Sequence, residues 1–365
     1  MASTRLRTAL AAGMAAVLLT GCASMGYYWQ SVSGHLQLLN AARPVADWLG
    51  DTQTPATLKT RLTLSQRIRS FAVTALHLPD NASYRSYADL QRKAVVWNVV
   101  AAPEFSLTLK TWCFPVAGCV GYRGYFSEPD AVAEAAQLKQ QGLEVSVYGV
   151  PAYSTLGWLN WAGGDPLLST FVAYPEGELA RLIFHELAHQ VLYVQDDTAF
   201  NESFATAVER LGSRQWLDSQ ASESARQAYA EFDGRRQQFR ALALATRREL
   251  EKIYKEKDPE ARDERALKAS KSIAMQRFRD DYARLKATWG GYAGYDPWVA
   301  RANNASFGAL AAYDELVPGF EALFEREGRH WLRFYDAAKQ LARQPKDARH
   351  NALKTQTPLT GIPHG

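Results

Sequence analysis

Two histidines four residues apart enclose a glutamate in the run Phe184-His185-Glu186-Leu187-Ala188-His189-Gln190. On a helix that spacing sends both imidazoles off one face, where two ring nitrogens suit a single tetrahedral zinc ion. Glu186, beside the first imidazole, points toward the open side, placed to take a proton from an attacking water and later deliver one to a leaving amine. A zinc site that does chemistry keeps one position open, so a third protein ligand is required. Glu202 is the choice. A helix running about five residues past His189 travels roughly 7 Å, and a returning helix that starts near Thr198 brings Glu202 back by about 6 Å, level with His189. Asp196 and Asp197 in the intervening turn, and Glu209 seven residues beyond Glu202 on the same face, are the alternates.

The elements that must position these groups are read from periodicity. Residues 175 to 194 read as one helix, opened by Pro175 and by the helix-favouring charges of Glu176 and Glu178. A second helix begins near Asp197-Thr198. Upstream, 34–49 and 57–78 carry apolar residues at helical spacing, punctuated by Pro44, Pro55 and Pro79. Residues 94–100 and 105–111 are β-branched or aromatic and read as strands, 130–141 as a helix stopped by Gly142, and 145–150 as a strand. Tyr153 to Trp161 reads as an extended segment ending at Gly163-Gly164-Asp165-Pro166. Residues 206–288 are almost wholly helix-forming, interrupted near Asp258-Pro259, and read as a long antiparallel helical hairpin inserted after the site helices. The expectation is an α+β fold, mainly helical, with a small mixed sheet.

The N-terminus carries an address. Arg5 and Arg7 precede a short apolar run that ends in Leu19-Thr20-Gly21-Cys22, too short to span a bilayer and shaped like a secretory signal. Residues 1–21 read as a lipoprotein signal peptide and 22–365 as the working domain. Cys22 becomes an acylated anchor, with Ala23 after it resembling the pattern exported to an outer membrane. The expected location is the periplasmic side of a bacterial envelope. An oxidising compartment favours a disulfide between the remaining cysteines, Cys113 and Cys119, with Pro115 and Gly118 supplying the turn.

Composition sets limits. The 365 residues are 47% hydrophobic and 22% charged, enough to bury a full core. The net charge is +4 and falls by two once Arg5 and Arg7 leave, so nucleic acid is not an expected partner. The basic residues between Arg235 and Arg284 are interleaved with acids and read as solvated helix faces.

The run His185 to Gln190 followed by Phe200-Asn-Glu-Ser-Phe-Ala205 resembles the gluzincin arrangement, in which a downstream Asn-Glu pair supplies the third zinc ligand. The lipobox, Gly26-Tyr27-Tyr28, Cys113 to Cys119, Tyr122-Arg-Gly-Tyr125, Leu156-Gly-Trp158 and Asn303-Asn304 together resemble a bacterial family of predicted aminopeptidases. The resemblance implies a zincin-like peptidase acting on peptides, with one zinc held by His185, His189 and Glu202, and Glu186 as base. Two departures stand out. Thr206 sits where many gluzincins place an aspartate that orients the first histidine, so His185 must be oriented from elsewhere. No Gly-x-Met-Glu-Asn segment is present to recognise a substrate amine, and Glu176, Glu178, Asp196 and Asp197 are candidates for that role. Zincins commonly place a substrate-pairing edge strand shortly before the site helix, which points to Gly157 and Trp158. Tyr292, Tyr295 and Tyr313 are candidates for stabilising an oxyanion. The rival readings are an envelope endopeptidase and a zinc-bearing scaffold without hydrolytic activity. Oligomeric state is not legible in the sequence.

Overall fold

A computed structural model describes residues 26–114, 118–152, 155, 163–255, 263–310 and 316–355. Residues 26–41 form α1. The helix expected over 34–49 therefore starts earlier and is cut. Ala42–Pro44 leaves it as strand β1, and α2 (Val45–Gly50) restarts behind Pro44, whose fixed φ suits a position just before a helix. Then come α3 (Ala56–Thr74), opened by Pro55, and β2 (Ser86–Ala88), which pairs antiparallel with β1.

Strand β3 (Val96–Pro103) is the spine of the second sheet. After it come the short strands β4 (Trp112–Phe114), β5 (Gly118–Val120) and β6 (Arg123–Tyr125), then α4 (Glu128–Gln140) and β7 (Leu143–Val150). The order is β6-β3-β7, antiparallel throughout. Residues 105–111, expected as a strand, form none. Phe105 and Leu107 turn instead into an aromatic core around the hairpin helices, so tertiary packing overrides local β preference. Strand β8 (Leu167–Leu168) adds in parallel to β2. Cys113 and Cys119 are joined by a disulfide across the β4–β5 ladder.

The remaining chain is helical. Helix α5 (Glu176–Ala188) and α6 (Thr198–Gln220) pack side by side and carry the site. Their buried side chains, including Leu179, Ile183, Phe184, Leu187, Phe200, Phe204, Ala207, Val208, Trp216 and Leu217, belong to the main core. Residues 206–220 are thus the body of α6, and the projecting hairpin consists of α7 (Glu223–Lys255) and α8 (Glu264–Thr288). Its own core is Phe239, Ala243, Leu250, Met275 and Phe278. Short helices α9 (Asp296–Arg301) and α10 (Asn304–Ala309) join it to the sheet. Asn303 caps α10 through Ser306 N–H. Asn304 donates to the carbonyls of Pro103 and Glu104 and accepts from Tyr254 Oη at 2.8 Å, which explains that Asn-Asn pair as a structural clip. Helices α11 (Val317–Arg326), α12 (Trp331–Ala342) and α13 (Lys346–Lys354) close the main core through Phe320, Phe324, Trp331, Phe334 and Tyr335.

Candidate metal and catalytic centre

Helix α5 buries eight of its thirteen residues. Only the side bearing His185 and Glu186 lines a cleft of about 490 Å³, together with His189 and Glu202. The helix ends one residue before His189, six residues sooner than its apolar pattern suggests. Asn201 accounts for the early stop. Its side chain accepts from Val194 N–H and donates to Val194 C=O, both at 2.7 Å, which satisfies a backbone that would otherwise look for helical partners. Asp197 caps α6 by accepting from Phe200 N–H and is held by Arg349 at 2.7 Å and His350 at 2.9 Å from α13.

The return brings the donors together. His185 Nε2 lies 3.2 Å from His189 Nε2. Glu202 Oε2 is 3.4 Å from the first and 3.8 Å from the second. Among the described residues these three form the one group of ligating side chains with donor atoms all within 4.8 Å of one another. Two imidazole nitrogens and one carboxylate oxygen, facing a cleft on their fourth side, are the donor set of a zinc ion with an open position, so the residues present fit that metal. Burial holds His189 neutral, with its pKa lowered to about 4, and the neutral ring is the form that binds a metal.

Electrostatics separates the carboxylates. Burial pushes the Glu186 carboxyl up to about 7, with the charges of Glu202, Asp165 and Glu209 adding to it against His185. Glu209 is buried too, but Arg181 and His185 hold it down to about 2. Glu202 is also lowered, burial being outweighed by the two histidines. Divergent carboxyl pKa values in one site are the pattern of acid–base chemistry, and a glutamate poised near 7 suits a group that must accept and return a proton at neutral pH.

His185 is oriented by Glu209. Its Nδ1 lies 2.8 Å from Glu209 Oε2, and Glu209 Oε1 accepts from Arg181 Nε at 2.8 Å. One turn beyond Thr206, α6 thus supplies the carboxylate that the sequence lacks at that position. Glu209, an alternate ligand by sequence, is one shell further out. Arg181 continues to Glu178 at 3.2 Å, and Glu178 to Arg236 on α7 at 2.7 Å.

Other expected residues fall elsewhere. Tyr295 stacks on Phe239 at 4.0 Å and Tyr292 lies under Arg235. Both belong to the hairpin's aromatic cluster, and neither lines the cleft that holds the donors. Tyr313, Gly157, Trp158 and Cys22 lie outside the described residues. The acids considered for amine binding are engaged. Glu176 accepts from Trp216 Nε1, Glu178 holds two arginines, Asp197 is the α6 cap, and Asp196 accepts from Cys119 N–H at 2.6 Å. That last bond docks the disulfide hairpin beside the site. Gly118 has φ +73°, and a Cβ there would run into the Asp196 carboxylate.

Three residues were not singled out by sequence. Tyr122 and Tyr193 line the cleft with the donors, and burial together with the Glu202 charge raises both phenols, Tyr122 well above its ordinary value. Asp165, almost fully buried, accepts from Thr155 N–H at 3.1 Å and adds its charge to Glu186. Tyr193 had a signal available, since it stands four residues after His189. Tyr122 and Asp165 sit in loops, where periodicity carries no information.

A mainly helical α+β protein with a histidine–carboxylate cluster at the floor of a cleft is the class that fold and site define. The chain belongs to the family described as "Putative aminopeptidase", whose model matches residues 26–353. Searches of curated proteins and of solved structures each found no match to the chain. Family membership supports a peptidase-like function with peptides as substrates.

Proposed function

We propose that this chain is a zinc-dependent, zincin-like aminopeptidase, anchored by an acylated Cys22 to the periplasmic face of a bacterial membrane, with an outer membrane as the proposed location. The observation that carries the catalytic reading is the convergence of His185 Nε2, His189 Nε2 and Glu202 Oε2 from two packed helices beside the buried carboxyl of Glu186. One zinc ion per chain, held by those three side chains, would supply Lewis-acid polarisation of the scissile carbonyl and acidify an attacking water.

The chain's own groups do the rest. Glu186 accepts the proton of the attacking water and returns it to the departing amine. Glu209, itself clamped by Arg181, fixes the tautomer of His185 with its Nε2 lone pair inward. Tyr122 and Tyr193 replace the hairpin tyrosines as donors toward the carbonyl oxygen as it gains charge. The family match supports cleavage at the N-terminus of a peptide over internal cleavage.

The test is a peptide with a free N-terminus against its acetylated twin, followed by product mass, for the wild type and Glu186→Gln. Stepwise loss from the free peptide alone, abolished in the variant, is expected. Equal internal cleavage of both peptides would make it an endopeptidase, and full activity in Glu186→Gln would remove that residue from the chemistry.

A further inference from the structure

We propose that the outer face of α1 is a membrane-docking surface that lies on a phospholipid bilayer and holds the wall of the catalytic cleft against it. Among the described residues, seven large hydrophobic side chains are exposed, and four of them, Tyr28, Trp29, Val32 and Leu36, stand on this one helix. Trp29 is 74% exposed. Val132, Ile273 and Leu332 are scattered singly over other helices, as ordinary surfaces allow. Positions 28, 29, 32 and 36 repeat at helical spacing and form a stripe.

Two features say what covers it. Residues 26–41 contain no Asp, Glu, Lys or Arg, so the stripe has no charged flank to keep it in water. It ends in a tyrosine and a tryptophan, the residues that favour the boundary between headgroups and acyl chains. Cys22 precedes α1 by four residues, a reach of at most about 14 Å. A lipid group on Cys22 therefore brings this stripe to the bilayer surface. The choice of a bilayer as occupant rests on the acylation reading of Cys22.

The opposite face of α1 faces the site. Tyr27 and Ser31 line the cleft that holds His185, Glu186 and Glu202. Tyr27 packs on Phe114 and Tyr125 and beneath Arg123. Gln30 donates to Gly124 C=O and accepts from Phe126 N–H, and Gly34 closes directly on the Phe126 ring. A helix clamped in this way has its outer face fixed relative to the cleft, so docking it brings the cleft to substrates presented at the membrane surface.

The test uses the exported full chain with single environment-sensitive labels introduced by Trp29→Cys, Val32→Cys and Leu36→Cys, and by Val132→Cys and Ile273→Cys as controls. The probe is vesicles of phosphatidylethanolamine and phosphatidylglycerol, with and without brominated acyl chains. Labels at 29, 32 and 36 are expected to shift to the blue, to be quenched by bromine and to stay so at high salt, because an uncharged face is not screened. The two controls are expected to stay in water. An identical response at all five positions, failure of the chain to bind the vesicles, or a shift without vesicles that grows with protein concentration would each overturn the proposal, the last by showing that a second copy covers the stripe. None of these readouts depends on peptide cleavage, so the catalytic reading stands or falls separately.

Discussion

Replacing Glu209 by glutamine removes one negative charge and changes little in volume. The side chain is 4% exposed, accepts from Arg181 at 2.7 and 2.8 Å and lies 2.8 Å from His185 Nδ1. Removing one partner of a fully buried pair costs about 3–5 kcal/mol when the other is left uncompensated. Arg181 keeps Glu178 at 3.2 Å, and the amide oxygen still accepts one bond, so the expected loss is nearer 2 kcal/mol, one to two charge-assisted hydrogen bonds. The effect on the metal is separate. Loss of the carboxylate that orients a ligating histidine costs about 10–100-fold in metal affinity. Denaturant melts of the metal-free protein and zinc affinity against a competing chelator measure the two quantities. Glu209→Asp, too short to reach both partners, is expected to fall between wild type and Glu209→Gln in each. Unchanged zinc affinity in Glu209→Gln with a stability loss of the stated size would refute the orienting role and leave Glu209 a structural ion-pair partner.

In the metal-free protein Glu186→Gln is expected to stabilise above neutral pH. Its carboxyl is raised to about 7 from 4.5, so the wild type forfeits stability as pH climbs from 4.5 to 7 and the group must ionise in a buried place. The ceiling is about 3 kcal/mol, nearer 1–2 with water in the cleft. Melts at pH 4 and pH 8 check it, and a gain at pH 4 alone would contradict the sign. Tyr122→Phe is expected to lower kcat by about 10–100-fold with little change in KM, the signature of a contact made in the transition state, and steady-state kinetics would show it. Replacing Cys113 and Cys119 together by serine is expected to cost about 2 kcal/mol for a loop this short, on the chain-entropy scale, and mass spectrometry of unreduced peptides identifies the bridge itself.

Much of the site was legible because helical spacing is a hard geometric constraint. The positions of His185, Glu186 and His189 follow from a periodic, Gly-free apolar helix. The return distance places Glu202 level with the histidines, where the structure has it, but it assumes a longer first helix. The helix stops at Ala188 rather than five residues past His189, and the Asn201 clip on Val194 substitutes for the missing turn. A side-chain bond to a backbone seven residues away leaves no periodic trace. The hairpin's existence was readable from composition, whereas its start was not, because α6 continues to Gln220 with a core-facing stripe that looks the same on either side of Thr206. The strand expected at 105–111 failed for a similar reason, since Phe105 and Leu107 are apolar in order to meet α7 and α8. Tyr292 and Tyr295 had the right chemistry on the wrong element. Cleft tyrosines from loops, such as Tyr122, depend on which loop the fold brings home.

The most direct test of the central claim is the zinc content of the purified chain, measured by native mass spectrometry after equilibration with a zinc buffer, for the wild type and the His185→Ala, His189→Ala double variant. One zinc per wild-type chain and none in the variant is expected, with circular dichroism confirming that both are folded. Full occupancy in the double variant, or none in a folded wild type, would contradict the assignment of His185, His189 and Glu202 as the metal site.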